Sequence, residues 1–595
     1  MAKPAKPDQL QTVALSHAKI KRLIVKNFRC IGPDPVEIDL DDIVVLVGPN
    51  NAGKSTILRA YEVVMMHGSS EGKLKLEDFP GEKVDPQALP EVELQTYIFD
   101  KFPADEWLHT DSVTGHKYVR ERWIWAKDNE SPTRQGHRAK DADWNEKVPW
   151  GAPGVANSRR PFPHRVDAFA SPEDQGAKIV DILRDILIQR VKQDGDGKGS
   201  VIEQLTQQVR DLQKEIVEQS KDEITGIENS LSSYIGEIFV GFRVALDPRT
   251  EQVAEKAFSF FSTSPMIRMG PDGGHLSPLD KQGSGARRTL LWSALKIASD
   301  RQPAKSKAKS KKDAEGEAES ESLARPHVLL LDEPEICLHP NAIRDACRVL
   351  YDLANAGSGW QVMVTTHSPA FIDLSRDNTT IVRVERDTKA KISGSTVFRP
   401  ATVKLTDDEK SLLKLLNLWD PYVAEFFFGG QTVLVEGDTE YSAFREIVEA
   451  DRAAYRNVHI VRARGKFVIP ALMKIMNHFG APYAVVHDSD RPKLDSGKAN
   501  AAWAANKMIL DAAAAAPDRD SVRLTAFVPN FEMAVFGETV TSDKPYNAVL
   551  KLRQNDAYRK VVKSALDYLL FQSNSCPNCL QNWTSMDALE KLATS

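Results

Sequence analysis

No stretch constrains this chain more than DDIVVLVGPNNAGKST, residues 41–56. Ile43 to Val47 form a continuous aliphatic run of strand length, the pattern of a strand buried on both faces. Gly48 to Ser55 then satisfy G-x-x-x-x-G-K-[ST], and STILRAYEVVMM beyond them has helical apolar spacing. Strand, glycine-rich loop and helix start, in that order, make a phosphate cradle. The backbone N–H groups and the helix N-terminus attract anions, Lys54 reaches the terminal phosphates, and the Ser55 hydroxyl ligates magnesium. Gly48, Asn50, Asn51, Gly53, Lys54, Ser55 and Thr56 are therefore the candidate contacts of an ATP-Mg site.

The pieces such a site needs follow later in the chain. In LLLDEPEICLHP, Asp332 ends an apolar strand, where it can support the magnesium, and Glu333 is placed to orient or deprotonate the attacking water. His367 closes the strand VMVTTHS, within reach of a terminal phosphate. Taken alone, a His after a strand is a polar strand terminus.

A second acidic constellation lies far downstream. VLVEGDTE ends a strand with Glu436 and sets Glu440 one turn into the next helix, while YAVVHDSD ends another strand with Asp488 and Asp490. Strand carboxyl ends of an open α/β sheet face one crevice, so the four acids converge there. Carboxylates gathered in one place repel unless a cation sits among them, and hard oxygen ligands select Mg2+ or Mn2+. Such a site generates a nucleophile and steadies the leaving oxygen of a phosphodiester. The plain reading of each fragment alone is a surface DxD pair and an EG turn.

The organisation between these motifs is uneven. Residues 18–47 alternate apolar and polar and read as strands, EVELQTYIFD reads as another, and 101–170 read only as strands and loops. Leu205, Val209, Leu212 and Ile216, then Ile224, Ile227, Leu231 and Ile235, predict a helical hairpin, either one face of a bundle or a coiled-coil-like dimer contact. Residues 301–325, a Lys block followed by a Glu block, cannot bury a core and read as a solvated loop. QTVLVEG, NVHIVRARG, YAVVHDSD and RLTAFVPN, separated by helical segments, predict a second parallel α/β unit.

Composition narrows the class further. At 595 residues with 42% hydrophobic and 27% charged residues, the chain has room for two to four domains, and no run of eighteen apolar residues requires a membrane. The N-terminus lacks the apolar core of a signal peptide, so a cytoplasmic location is expected. A net charge of -5 excludes a uniformly basic nucleic-acid binder but leaves local basic surfaces open. The five cysteines suggest no disulfide framework, and CPNC at 576–579, with no second ligand pair, reads as a loop.

The order P-loop, DEPE, LHP and THS resembles ATP-binding cassette ATPases of the SMC- and RecF-like branch. That resemblance implies a signature loop completing the nucleotide site of a second copy, hence a homodimer or higher even oligomer. DKQGSGARR (280–288) is its candidate here; Ser284 and Gly285 are its nucleotide contacts, with Gly283 and Ser284 alternatives for the phosphate-contacting place and Gln95 a candidate for the glutamine switch. The pattern strand-EGxTE, then Gly465-Lys466, then strand-DxD resembles the TOPRIM domain. It implies Glu436, Asp488 and Asp490 as catalytic metal ligands with Glu440, and by resemblance Glu532 as a further ligand and Lys544 as the lysine that steadies transition-state charge.

Together the two halves resemble the OLD (overcoming lysogenization defect) nuclease family, whose second class includes the nuclease subunit of the Gabija anti-phage system. The implied architecture is α/β: an ABC ATPase domain in two parts (1–174 and 241–400) around a helical insertion (175–240), a linker (401–430), a TOPRIM domain (431–550) and a C-terminal helical segment (551–595). The implied activity is a two-metal DNA endonuclease regulated by ATP, with DNA and, for the second class, a UvrD-like helicase as partners. The competing expectation is a DNA-tethering ATPase carrying a non-catalytic TOPRIM scaffold.

Overall fold

The structure, a computed structural model, describes residues 18–166, 221–238, 241–247, 266–300 and most of 326–594. Residues 175–220 of the expected helical insertion, the low-complexity stretch 301–325 and much of the expected linker lie outside them. Two compact units emerge, one built from residues 1–29, 40–43 and 55–366, the other from 30–39, 44–54 and 367–595.

In the first unit, the alternating segment Lys19–Lys26 pairs antiparallel with Glu91–Tyr97, which pairs in turn with Lys117–Ile124 and then Thr133–Arg138. The region that read only as strands and loops thus completes an antiparallel sheet. It also supplies Phe162–Val166, which joins His327–Asp332 and Trp360–Thr365 as parallel strands, Val166 opposite Leu331 and Asp332 opposite Thr365. The apolar run Val328 to Leu331 is at most 1% exposed, as expected for a strand covered on both faces. Beneath the antiparallel sheet, Glu121 is fully buried between Arg134 and Arg160, and the two guanidiniums hold its carboxyl below the usual range despite its burial.

The part of the helical insertion that is described, Lys221–Ile238, buries Ile227, Leu231 and Ile235. This four-residue spacing is one face of a helix packed into its own unit, alongside Ser284–Asp300 and Pro340–Leu353. For this half of the repeat, the bundle-face reading holds.

The second unit carries the hairpin Thr379–Arg386 with Ile392–Phe398 and a five-stranded sheet. In that sheet Gln431–Val435 lies between Val458–Arg462 and Tyr483–Asp488, all parallel, and Val522–Phe527 follows beyond Tyr483–Asp488. The segment read as a C-terminal helical extension also contains Gln581–Asn582, which pairs antiparallel with Val522–Phe527 and closes that edge. Alternation divides the sheet's side chains. Val433, Val435, Ala484 and Val486 pack with Phe444 and Ile447 of helix Asp438–Ala450 and with Val562, Leu566 and Leu569 of helix Asp556–Leu569. Burying each such large side chain contributes roughly 1.5–3 kcal/mol. A rigid sheet with its strand ends aligned therefore underlies the second acidic constellation.

Candidate functional site

The P-loop adopts a backbone that its residue types permit. Gly48 has φ of +138°, and a Cβ there would stand 2.1 Å from the Val384 carbonyl oxygen, so only glycine lets the loop pass that strand. Asn51 and Gly53 also have positive φ, 60° and 103°. Alternating conformations of this kind turn successive N–H groups toward one concavity. Asn50 is exposed, whereas Thr56 in the following helix is buried. Lys54 is buried and donates to the Gly48 and Pro49 carbonyls at 3.1 and 2.9 Å, with His367 Nε2 2.8 Å from its ammonium. Burial, and then that ammonium, lower the His367 pKa, so the ring is neutral and accepts the bond.

The next residue, Ser55, donates its hydroxyl to Asp332 Oδ1 at 2.8 Å. Thr365 donates to the same oxygen at 2.6 Å, and Arg165 holds Oδ2 at 3.2 Å. Glu333 has φ of +45°, a left-handed conformation unusual for a side chain of this kind, and its N–H donates to the Thr365 carbonyl at 3.1 Å. Ser284 and Gly285 open helix Ser284–Asp300, whose Arg288 is buried and donates to the Glu333 carbonyl at 3.3 Å. The helix opened by the candidate signature loop is thus tied to the backbone of Glu333, the candidate for orienting water. Gln95 sits in the antiparallel sheet with its amide donating to Glu93 at 2.9 Å.

Arg165, Thr365 and Arg288 carried no sequence-based expectation. Thr365 and Arg288 stand within quoted motifs, and their spacing was their only signal. Arg165 lies in a stretch without period.

The second constellation assembles at the carboxyl ends of neighbouring parallel strands. Glu436 follows Gln431–Val435 and accepts the Asp488 N–H at 3.2 Å. Asp488 ends its own strand and accepts the Phe531 N–H at 2.9 Å, which draws helix Phe531–Phe536 and its buried Glu532 to the same place. Glu440, one turn into its helix, folds back so that a Cβ on Gly437 would stand 3.2 Å from its carboxyl. Burial pushes the Glu440 carboxyl up to about 7, and Glu436 and Glu532 push it the same way. Burial, then Glu440, Glu436 and Glu532, raise Asp488 well above the carboxylate range. Glu436 is raised too, by burial and by Asp490, against the pull of Lys466. Such mutual elevation requires that the acids share one low-dielectric place.

Two lysines belong to this cluster. Lys544, at the start of helix Lys544–Gln554, lies 3.1 Å from Glu532. Lys466, only 4% exposed, donates to the Asp490 carboxylate at 2.6 Å and to the Asp488 carbonyl at 2.5 Å. Asp490 has φ of +58°, so its carboxylate is carried out of the strand line toward that ammonium. The sequence marks Lys466 only as part of the Gly-Lys pattern; its grip on the DxD loop is a product of the fold. Among the described residues no three carboxylates close on one point as a metal cage. Asp490 is turned to Lys466, and Glu532 to Lys544. The donor set is nevertheless all carboxylate oxygen around a buried excess of negative charge, which fits a hard divalent cation.

Comparison with known proteins matches these two clusters separately. A family model for an AAA ATPase domain matches residues 19–98 and 175–372, and one for the overcoming lysogenization defect protein-like TOPRIM domain matches 427–490. The OLD nuclease of Thermus scotoductus (strain ATCC 700910 / SA-01) is 24% identical over 565 residues, covering 90% of this chain and 95% of that protein. The chain is a homologue of the OLD nucleases. The Old nuclease of Escherichia phage P2 is 20% identical over 498 residues, 79% of this chain and 77% of the relative. Among solved structures, an SmcHead bound to the C-winged helix domain of ScpA is 16% identical, covers 64% of this chain and 97% of that one, and has a TM-score of 0.37. The OLD-like TOPRIM match contains Glu436, Glu440, Lys466, Asp488 and Asp490, and ends before Glu532 and Lys544. Arg165 lies outside both matched regions. No helix among the described residues is long and apolar enough to cross a membrane.

Proposed function

We propose that this protein is a divalent-metal-dependent endonuclease that cuts DNA, with its activity regulated by the ATPase domain. The observation that carries the reading is the group Glu436, Glu440, Asp488 and Glu532 at the strand ends, where Asp488 accepts the Phe531 N–H beside the buried Glu532, Glu440 is buried, and burial with neighbouring acids raises the carboxyls of Glu436, Glu440 and Asp488. A scaffold has no use for buried, mutually repelling acids, which cost stability unless a cation or substrate chemistry employs them.

Glu436, Glu440, Asp488, Asp490 and Glu532 would hold Mg2+ or Mn2+, which when bound supplies Lewis acidity and a nucleophilic water at neutral pH. The chain's own residues divide the remaining work. Lys466 positions the Asp490 carboxylate and fixes the DxD loop through the Asp488 carbonyl. Lys544, half exposed beside Glu532, is free to swing its ammonium to a phosphate oxygen as negative charge develops there. At the nucleotide, the P-loop and Lys54 bind phosphates, Ser55 and Asp332 would hold the magnesium of ATP-Mg, and Glu333 orients water. His367, neutral beside Lys54, would sense the terminal phosphate. Ser284 and Gly285, opening a helix bonded to Glu333, would complete the site of a second copy in a homodimer.

The test is incubation of supercoiled plasmid with magnesium or manganese. Wild type nicks the plasmid, Glu436→Ala and Asp488→Ala abolish nicking, and Lys54→Ala loses ATP hydrolysis while keeping the nuclease site. Absence of nicking under every metal and nucleotide condition overturns the nuclease in favour of the tethering ATPase. Persistent cutting by Asp488→Ala overturns the site.

A further inference from the structure

The nuclease reading leaves open what holds the two aspartates of HDSD in their places, and the polar layer beneath them bears on that. Two peptide planes separate Asp488 from Asp490. The first is gripped at both ends: Lys466 donates to the Asp488 carbonyl at 2.5 Å, and the Ser489 N–H donates to the Phe527 carbonyl at 2.8 Å. The second is gripped in the same way. Asn506 Nδ2 donates to the Ser489 carbonyl at 3.0 Å, and the Asp490 N–H donates to the Pro529 carbonyl at 3.1 Å. Lys466 stands further from the Ser489 carbonyl, at 3.4 Å, so the short bond to that oxygen comes from Asn506.

This second plane is the one under strain. Asp490 has φ of +58°, which a residue with a Cβ adopts only at a cost. Turning the plane over would return Asp490 to negative φ and carry its carboxylate off its present course. The Asn506 bond opposes that turn, because a reversed plane would present an N–H to the amide's donor.

Asn506 is an uneconomical residue for its position. It stands mid-helix in Ala501–Ala514, fully buried on a face shared with Ala505, Ile509 and Ala513, where asparagine is a poor helix former. Its Oδ1 is buried too and meets no protein group among the described residues. A buried amide met at one end is a poor source of stability. Asn477 is the contrast: also buried, it donates to the Ala512 carbonyl of the same helix at 2.8 Å and accepts the Tyr483 hydroxyl at 2.7 Å.

Resting on the nuclease reading, we propose that Asn506 is a positioning residue of the acid cluster. It holds the Ser489–Asp490 peptide plane against turning over and so keeps the Asp490 carboxylate where a divalent cation requires it.

The experiment titrates manganese into the full chain without nucleotide, reading free ion by electron paramagnetic resonance. Cluster binding is what wild type holds and Asp488→Ala does not. Asn506→Leu, similar in size but without a donor, weakens cluster binding by about 10- to 100-fold, the usual cost of losing a group that orients a ligand. In EDTA it melts no lower than wild type, since the half-met amide is gone. Asn477→Leu does the reverse, lowering the melting temperature and leaving manganese binding unchanged. Where leucine prevents folding, Asn506→Ala gives the binding measurement alone. Wild-type manganese binding by the Asn506 variants, equal weakening by Asn477→Leu, or a lower melting temperature for Asn506→Leu overturns the inference. Failure of the nuclease reading is read separately, as a wild type that nicks no plasmid and holds no more manganese than Asp488→Ala. A protein that nicks, and whose manganese binding ignores Asn506→Leu, sinks only the positioning role.

Discussion

Glu440→Gln should separate the cost of the acid cluster from its use. Burial and the neighbouring Glu436 and Glu532 bring the Glu440 carboxyl from the ordinary 4.5 to about 7 in the folded chain. Between those two values the folded protein keeps a proton that the unfolded chain has released, so its stability falls as pH rises from 4.5 through 7. At about 1.4 kcal/mol for each tenfold change in proton activity, the penalty in metal-free protein at pH 8 is on the order of 3 kcal/mol. Glutamine keeps the shape and removes the titration. The variant should therefore match wild type near pH 4.5 and exceed it by about 3 kcal/mol at pH 8, read by urea denaturation in EDTA with a probe in the 431–595 region. Added magnesium or manganese should erase the advantage, because a cation among the acids stabilises the ionised wild type and not the amide. An equal stability difference at both pH values, or an advantage that metal leaves untouched, would refute the claim that Glu440 is held uncharged by burial and its neighbours.

Lys466→Met removes the ammonium that holds Asp490; since that carboxylate's side chain is 31% exposed, the loss in metal-free protein should be about 1–3 kcal/mol. Manganese should then stabilise the variant by more than it stabilises wild type, measured as the shift in melting temperature. Phe428, whose ring stacks on His367 with centroids 6.3 Å apart and which precedes the strand Gln431–Val435 that leads to Glu436, gives a test of communication from Lys54 to the nuclease strands. Phe428→Ala should leave ATP hydrolysis in place and reduce the effect of nucleotide on nicking by about 2- to 10-fold, the worth of one ring contact.

Much of the second unit is legible in the sequence alone. Its strands read as short β-rich runs between helices with apolar spacing, and the structure places Gln431–Val435, Val458–Arg462, Tyr483–Asp488 and Val522–Phe527 in one parallel sheet. The P-loop was legible for a related reason, since glycine spacing and a following lysine encode a local backbone shape. Phe162–Val166 was not, because only Pro163 and Val166 of its five residues are buried and its order comes from pairing with His327–Asp332. Gln581–Asn582 was likewise unreadable, as two residues carry no period of their own and become a strand only against Val522–Phe527.

The sequence by itself determined where a glycine-rich loop and strand-terminal acids lie, because each is written in residues close together along the chain. It also determined that there are two such places, since Asp332 and Asp488 close different runs of β-rich sequence. Only the tertiary structure decided the environment of those residues. The carboxyls of Glu440 and Asp488 are raised by burial and by acids up to about a hundred positions away in the chain, and Arg165 reaches Asp332 across 167 positions. Burial and through-space charge depend on what folding brings near, and no local pattern records that.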